Sequence, residues 1–183
     1  MSRRTDIADV AITTLAREGM RGLTHRAVDR AAGLPEGSTS YYFRTREAML
    51  EAMVERLVEV DQSQRPPSPG GDLDSLAAVT AEIVHQWLTV DRSRQLARYE
   101  LTLEASRRPQ VRERLVAAGA QVRAIVADQL IAAGVDDAED KAYDFSAYLD
   151  GLLFDEIAGA GRRGLTVDQL RVKIRTMLHA VTS

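Results

Sequence analysis

The sequence predicts an all-α protein, and three observations carry that expectation. Proline and glycine sit at the breaks between long segments. Inside the segments apolar residues recur at the spacing of one helix face, and no β-rich run alternates with a period of two. Alanine, the strongest helix former, is frequent. The expected architecture is an N-terminal three-helix unit containing a helix-turn-helix, residues 1–47, followed by a helical bundle over residues 48–183.

Ile7, Val10, Ala11, Thr14 and Leu15 place a first helix over Thr5–Glu18, with Gly19 as its stop. Thr24 is suited to cap a second helix, because its hydroxyl can accept from exposed first-turn N–H groups. Ala27, Val28, Ala31 and Ala32 are its small apolar face, and Gly33 supplies the positive φ that ends it. Leu34 anchors the turn, and Pro35 fits the first position of a third helix, where no N–H is required. Gly37, Ser38, Thr39 and Ser40 keep the front of that helix small and polar, and Tyr41, Tyr42 and Phe43 close it. Two helices joined this way place one helix end in the major groove of DNA.

Thr45 caps a fourth helix, whose apolar run from Ala48 to Val58 has to be buried on two sides. The stretch RPPSPGG, residues 65–71, is a break. Five further helices are expected: Asp72–Val90, about Ser93–Ser106, Pro109–Ala133, Asp137 to about Ala160, and Val167–Val181 capped by Thr166.

Of the 183 residues, 45% are hydrophobic and 28% charged, as in a globular protein. Without cysteine there is neither a disulfide framework nor a thiolate metal site. The N-terminus MSRRTDIADVAITTLAREG lacks the apolar core of a signal peptide, and no uninterrupted apolar run approaches the roughly 18 residues of a membrane span. The expected location is the cytoplasm, with no membrane partner. Net charge is −3, but residues 1–47 hold eight Arg against six acids, so +2 falls on the helix-turn-helix and −5 on the remainder. That is the bias that phosphate binding requires. Enzyme readings lack parts: His25, His85 and His179 stand far apart, none in a metal-ligand spacing, and no glycine loop cradles phosphate. Neither a metal nor a cofactor is expected.

Residues 5–50 resemble the N-terminal domain of the TetR-family transcriptional repressors. The resemblance rests on Ala32, Gly33, Leu34, Pro35, Gly37, Tyr42, Phe43, Arg46 and Glu47. The chain departs from the family pattern at Ser40, where a phosphate-contacting Tyr is usual, and at Thr39, where Leu is usual. The resemblance implies a dimer that binds double-stranded operator DNA and an unknown small-molecule effector.

The expected DNA-binding set is Thr24, His25, Arg26, Pro35, Glu36, Gly37, Ser38, Thr39, Ser40, Tyr41, Tyr42, Arg44, Thr45 and Arg46. Glu36, Ser38, Thr39 and Tyr41 are the candidates to face bases, while Tyr42, Arg44, Thr45 and Arg46 would hold phosphates. Ser2, Arg3 and Arg4 are read either as an arm that reaches DNA or as an ordinary terminus. Trp87, Tyr99, Glu100, Leu103, Phe145 and Tyr148 are the effector-pocket candidates, with core packing as the alternative for each. The last two long helices carry apolar residues too broadly for one surface. Either they are central or they also pack against a second copy; the pattern favours, and the resemblance implies, a two-fold interface with Tyr148, Gly151, Leu152, Leu153, Ile157, Leu170, Ile174, Met177 and Leu178. The reading is a homodimeric, ligand-released repressor; the rivals are a helical protein–protein module that does not touch DNA and a ligand-independent or activating factor.

Overall fold

Local capping chemistry sets several helix starts. Ser2 accepts from Thr5 N–H, Thr24 from Ala27 N–H at 3.1 Å, and Asp72 from Ser75 N–H at 2.8 Å. Thr166 accepts from Gln169 N–H while the Gln169 side chain accepts from Thr166 N–H, a reciprocal capping box. The computed structural model describes residues 2–63 and 71–183, and among them are nine helices and no strand. They are α1 (Arg3–Gly22), α2 (His25–Ala32), α3 (Ser38–Tyr42), α4 (Arg46–Ser63), α5 (Leu73–Leu88), α6 (Arg92–Ala105), α7 (Pro109–Ala132), α8 (Ala138–Ile157) and α9 (Val167–Thr182). The all-α class and the order of elements agree with the sequence expectation. The break expected at 65–71 lies, except for Gly71, outside the described residues.

Three boundaries differ. The regular first helix ends at Gly19 as expected, because Gly19 is non-helical at φ 68° and ψ −179°, but helical residues continue beyond it to Gly22. At the other end α1 begins at Arg3, so residues 2–4 form a capped first turn rather than a free arm. α8 stops at Ile157, where the Arg92 guanidinium donates to the carbonyls of Glu156 (3.1 Å) and Ile157 (2.7 Å). Two of the orphan carbonyls of the helix end are satisfied there.

By contacts the chain forms two units, and the division differs from the expected one at residue 47. Unit 1 comprises Met1–Arg65 and Ser93–Ala118, and unit 2 comprises Pro66–Arg92 and Gly119–Ser183. In unit 1 a single apolar cluster joins Ile7, Ala11 and Leu15 of α1, Val28 of α2, Phe43, and Met49, Leu50, Met53 and Leu57 of α4. It continues through Ala97, Leu101 and Ala105 of α6 to Val111. The long apolar run of α4 is thus used on two sides, and α6 shares a core with the helix-turn-helix. Arg56 ties α4 to α1 through both oxygens of Asp9, at 2.7 and 3.0 Å. Asp61 of α4 pairs with Arg98 and Arg94 of α6.

Arg46 belongs to the same framework. Its guanidinium donates to the carbonyls of Met20 and Leu23, closing the connection between α1 and α2. This corrects its assignment as a phosphate clamp, because both terminal nitrogens are committed to the backbone.

In unit 2, α9 packs on α5 and on α8. Leu152, Leu153 and Ile157 of α8 and Leu170, Ile174 and Leu178 of α9 are buried within the single chain, the last three completely. These six residues were expected at a subunit interface; the broad apolar stripes serve the core of the unit instead. Of the other residues assigned there, Met177 is half-buried, and Tyr148 and Gly151 are exposed. α7 is long and apolar enough to cross a bilayer by length and composition, with an 18-residue window of mean hydropathy 1.4. Arg123 and Asp128 interrupt its apolar run.

Two stability predictions follow from this packing. Ile174→Ala should cost about 2–5 kcal/mol in urea denaturation monitored by circular dichroism, whereas Val172→Ala, on the exposed side of α9, should stay within about 0.5 kcal/mol. Arg46→Gln should lower stability in the absence of DNA by about 1.5–3 kcal/mol, the worth of a hydrogen bond from a charged donor. An unchanged melting temperature would return Arg46 to a surface role.

Candidate nucleic-acid interface

The helix expected to read DNA, α3, is five residues long. A helix of one turn is unstable in water, and its N-cap residue, Gly37, has no side chain to cap it and lies at φ 94°. The missing acceptor comes from α2. Asp29, 3% exposed, accepts from Gly37 N–H at 2.8 Å through Oδ2. Its Oδ1 accepts from Thr39 N–H at 2.7 Å and from the Thr39 hydroxyl at 2.5 Å. The Asp29 carbonyl also receives Leu34 N–H at 2.9 Å. Burial raises the Asp29 pKa, but the hydrogen bonds from Thr39 and Gly37 and the nearby His25 outweigh it, and the carboxyl is held below its ordinary value.

Thr39 is completely buried. This corrects its assignment to base contact: at the position usually occupied by Leu, its side chain faces α2 and satisfies the carboxylate. Asp29 was missed because a carboxylate beside Val28 reads as a solvated helix face. The available signal was Gly37, which leaves the start of α3 without an acceptor of its own.

The far end of α3 is held as well. His25 Nε2–H donates to the Phe43 carbonyl at 2.7 Å, so this nitrogen is engaged within the fold rather than directed at phosphate. The guanidinium of Arg4 lies 4.8 Å from the centre of the buried Phe43 ring. Tyr42 is half-buried against the apolar cluster, whereas Tyr41, 80% exposed, meets it edge-on with ring centres 5.2 Å apart. The hydroxyls of Thr24 and Thr45 accept from backbone N–H groups as helix caps, and Ser38 Oγ donates to the Pro35 carbonyl.

What remains outward around α3 is Pro35, Glu36, Gly37, Ser40, Tyr41 and Arg44, with Arg26 across from Glu36. Arg26 and Glu36 form an ion pair at 2.6 Å, with both side chains at least 70% exposed. This face offers a hydroxyl, a phenol, a carboxylate and guanidinium groups, the donor and acceptor types that meet base edges and phosphates. Unit 1 holds 16 basic against 13 acidic residues, and unit 2 holds 8 against 14.

The effector-pocket candidates do not gather in this way. Trp87, Phe145 and Tyr148 belong to unit 2, and Tyr99, Glu100 and Leu103 to unit 1. Tyr99 and Phe145 are buried, while Leu103 and Tyr148 are more than half exposed. A cleft of about 460 Å³ in unit 2 is lined by other residues, among them His85, Arg92, Glu156, Arg162 and Leu165, and by none of the six. No cluster suited to hold a metal ion occurs among the described residues.

Comparison with known proteins places this arrangement. Residues 7–53 match the family model described as bacterial regulatory proteins, tetR family, and residues 71–183 match tetracyclin repressor-like, C-terminal domain. The HTH-type transcriptional repressor KstR2 of Rhodococcus jostii (strain RHA1) is 29% identical over 91 residues, which are 50% of this chain and 45% of that protein. The chain therefore spans about half the length of the curated relative it matches. A transcriptional regulator from Rhodococcus sp. Rha1 shares the fold at a TM-score of 0.82, with 21% identity over 98% of this chain and 96% of that one. The multidrug binding protein EbrR, solved in complex with ethidium, is 27% identical at a TM-score of 0.74, covering 100% of this chain and 99% of that one. With two family models matched, the second alone covering more than half of the chain, the chain belongs to the TetR family of transcriptional regulators, which are DNA-binding regulators and not enzymes.

Proposed function

We propose that the protein is a cytoplasmic homodimeric repressor that binds a palindromic operator through α3 and is released by a small aromatic or cationic effector. The observation that carries the DNA-reading half is the outward face around α3: Glu36 in the preceding turn and Ser40 and Tyr41 on the helix stand exposed, while α2 holds the helix through Asp29 and His25. Ser40, Tyr41 and Glu36 would face base edges, with Arg26 and Arg44 at phosphates. The basic excess of unit 1 supports the same reading.

The two-fold interface would use the solvent-exposed side of α8. Ala147, Gly151 and Phe154 are exposed at spacings of four and three, one face of a helix, beside exposed Tyr148 and with exposed Ala158 just past the helix end. Small residues at Ala147, Gly151 and Ala158 permit the close approach of a second helix. This face replaces the buried leucines as the proposed contact.

Support for the effector class comes from unit 2, with its excess of acids, and from EbrR, which has been solved with proflavin, ethidium and malachite green. Arg98, the residue best able to receive a carboxylate, is engaged by Asp61. Trp87 and Phe145 are the rings of unit 2 proposed to meet such a molecule. Release requires that the effector favour a second state of the chain, in which the reading helices no longer fit the operator. It can release DNA only by as much as it prefers that state.

Fluorescence anisotropy with the duplex upstream of the protein's own gene tests this reading. Binding through six or so phosphate contacts should weaken by roughly 10³-fold or more between 50 and 200 mM salt. Phe154→Arg should give a folded monomer by light scattering with operator affinity lost; a monomeric wild type would contradict the interface. Ethidium or proflavin should quench Trp87, raise the melting temperature and release DNA over one concentration range. Release by aromatic acids and not by these cations would overturn the proposed class.

A further inference from the structure

Burying a carboxylate is unfavourable unless its oxygens are satisfied, and Asp29 is satisfied almost wholly by one short stretch of chain. Its carbonyl receives Leu34 N–H, its Oδ2 receives Gly37 N–H, and its Oδ1 receives both the N–H and the hydroxyl of Thr39. One residue of α2 therefore fixes three points along the turn and the first turn of α3. Apolar packing at the same place would be non-directional, leaving α3 able to turn about its axis. Bonds of defined direction at residues 37 and 39 fix rotation and translation together. The rotation matters, because successive residues of an α-helix point about 100° apart. Ser40 and Tyr41, both exposed, directly follow Thr39. Their directions are set by the register in which Thr39 is held.

We propose that Asp29, acting through Thr39 and Gly37, is a positioning residue for sequence-specific DNA recognition, and that the Asp29–Thr39 pair sets which base edges Ser40 and Tyr41 meet. The inference rests on the DNA-reading function proposed above. It assigns the pair no contact with DNA. Its loss therefore acts on discrimination between sequences, while phosphate attraction by the exposed arginines persists.

The test uses the full chain in four forms: wild type, Thr39→Ser, Asp29→Asn and Asp29→Ala/Thr39→Val. Two quantities are read. The first is amide hydrogen exchange at Gly37 and Thr39, relative to Leu15 and Met53 in the core. The second is affinity for a duplex selected by the wild type from a random-sequence pool, relative to a scrambled duplex of the same composition. Wild type and Thr39→Ser, which keeps the hydroxyl, should protect both amides and discriminate equally. The double variant should keep its helix content, and its Gly37 and Thr39 amides should exchange about tenfold faster or more, the worth of one hydrogen bond to a charged group. Its preference for the selected duplex should fall by about tenfold or more, with binding to the scrambled duplex changed far less. Asp29→Asn keeps the shape but supplies one acceptor oxygen in place of two, and should fall between; it carries the test if the double variant does not fold.

Unchanged discrimination in a folded variant whose two amides exchange quickly overturns the proposal, since α3 is then placed by packing alone. Unchanged exchange in that variant overturns it as well. Enrichment of no sequence from the pool refutes the proposed DNA-reading function instead. Exchange alone then decides whether Asp29 positions α3.

Discussion

A helix of five residues cannot hold its own shape in water, and the helix proposed to read DNA is of that length. Its shape has to be imposed from outside, which makes the buried carboxylate of Asp29 the interaction on which the reading face depends. The opposite end is imposed too, by the His25 hydrogen bond to the Phe43 carbonyl and by the burial of Phe43. Held at both ends, α3 spends little conformational freedom on binding. That is the condition under which a hydroxyl and a phenol can discriminate bases with few contacts. Several polar residues that look free for DNA in the sequence are the means by which this freedom is removed.

The same economy extends to α6. Its residues Ala97, Leu101 and Ala105 complete the apolar cluster begun by α1 and α4, and Arg94 and Arg98 meet Asp61 of α4. A DNA-reading unit built from residues distant in sequence has a mechanical consequence. Any event that displaces α6 disturbs packing beneath the helix-turn-helix directly, because close-packed cores transmit strain.

Much of the fold is legible in the sequence because helix starts and stops are local chemistry. Thr24, Gly33, Thr45 and Thr166 act within three residues of themselves, and the structure uses each at the position expected. The parts that are not legible depend on residues far apart in the chain. Arg46 reaches back 23 residues and more to the Leu23 and Met20 carbonyls, so its charge reads as available when it is committed. Thr39 reads as polar surface until its partner ten residues earlier is known. Apolar breadth on α8 and α9 is ambiguous in principle, since one stripe can face the chain's own core or a second copy. Six of the nine interface candidates proved to be core, and the proposed contact falls on the smaller and less apolar side of α8. The effector-pocket candidates were chosen by side-chain type alone, and side-chain type does not tell which rings share a cavity.

The central claim is that two copies of this chain each present one pre-set α3 to successive major grooves. Hydroxyl-radical footprinting on the DNA upstream of the protein's own gene tests it most directly. The account predicts two protected patches related by a two-fold axis, their centres one helical turn of DNA or a multiple apart. Symmetric protection should disappear when the two halves of the site are moved apart by half a turn. A single patch without a symmetric partner, or protection that does not depend on the spacing of the two halves, would contradict it.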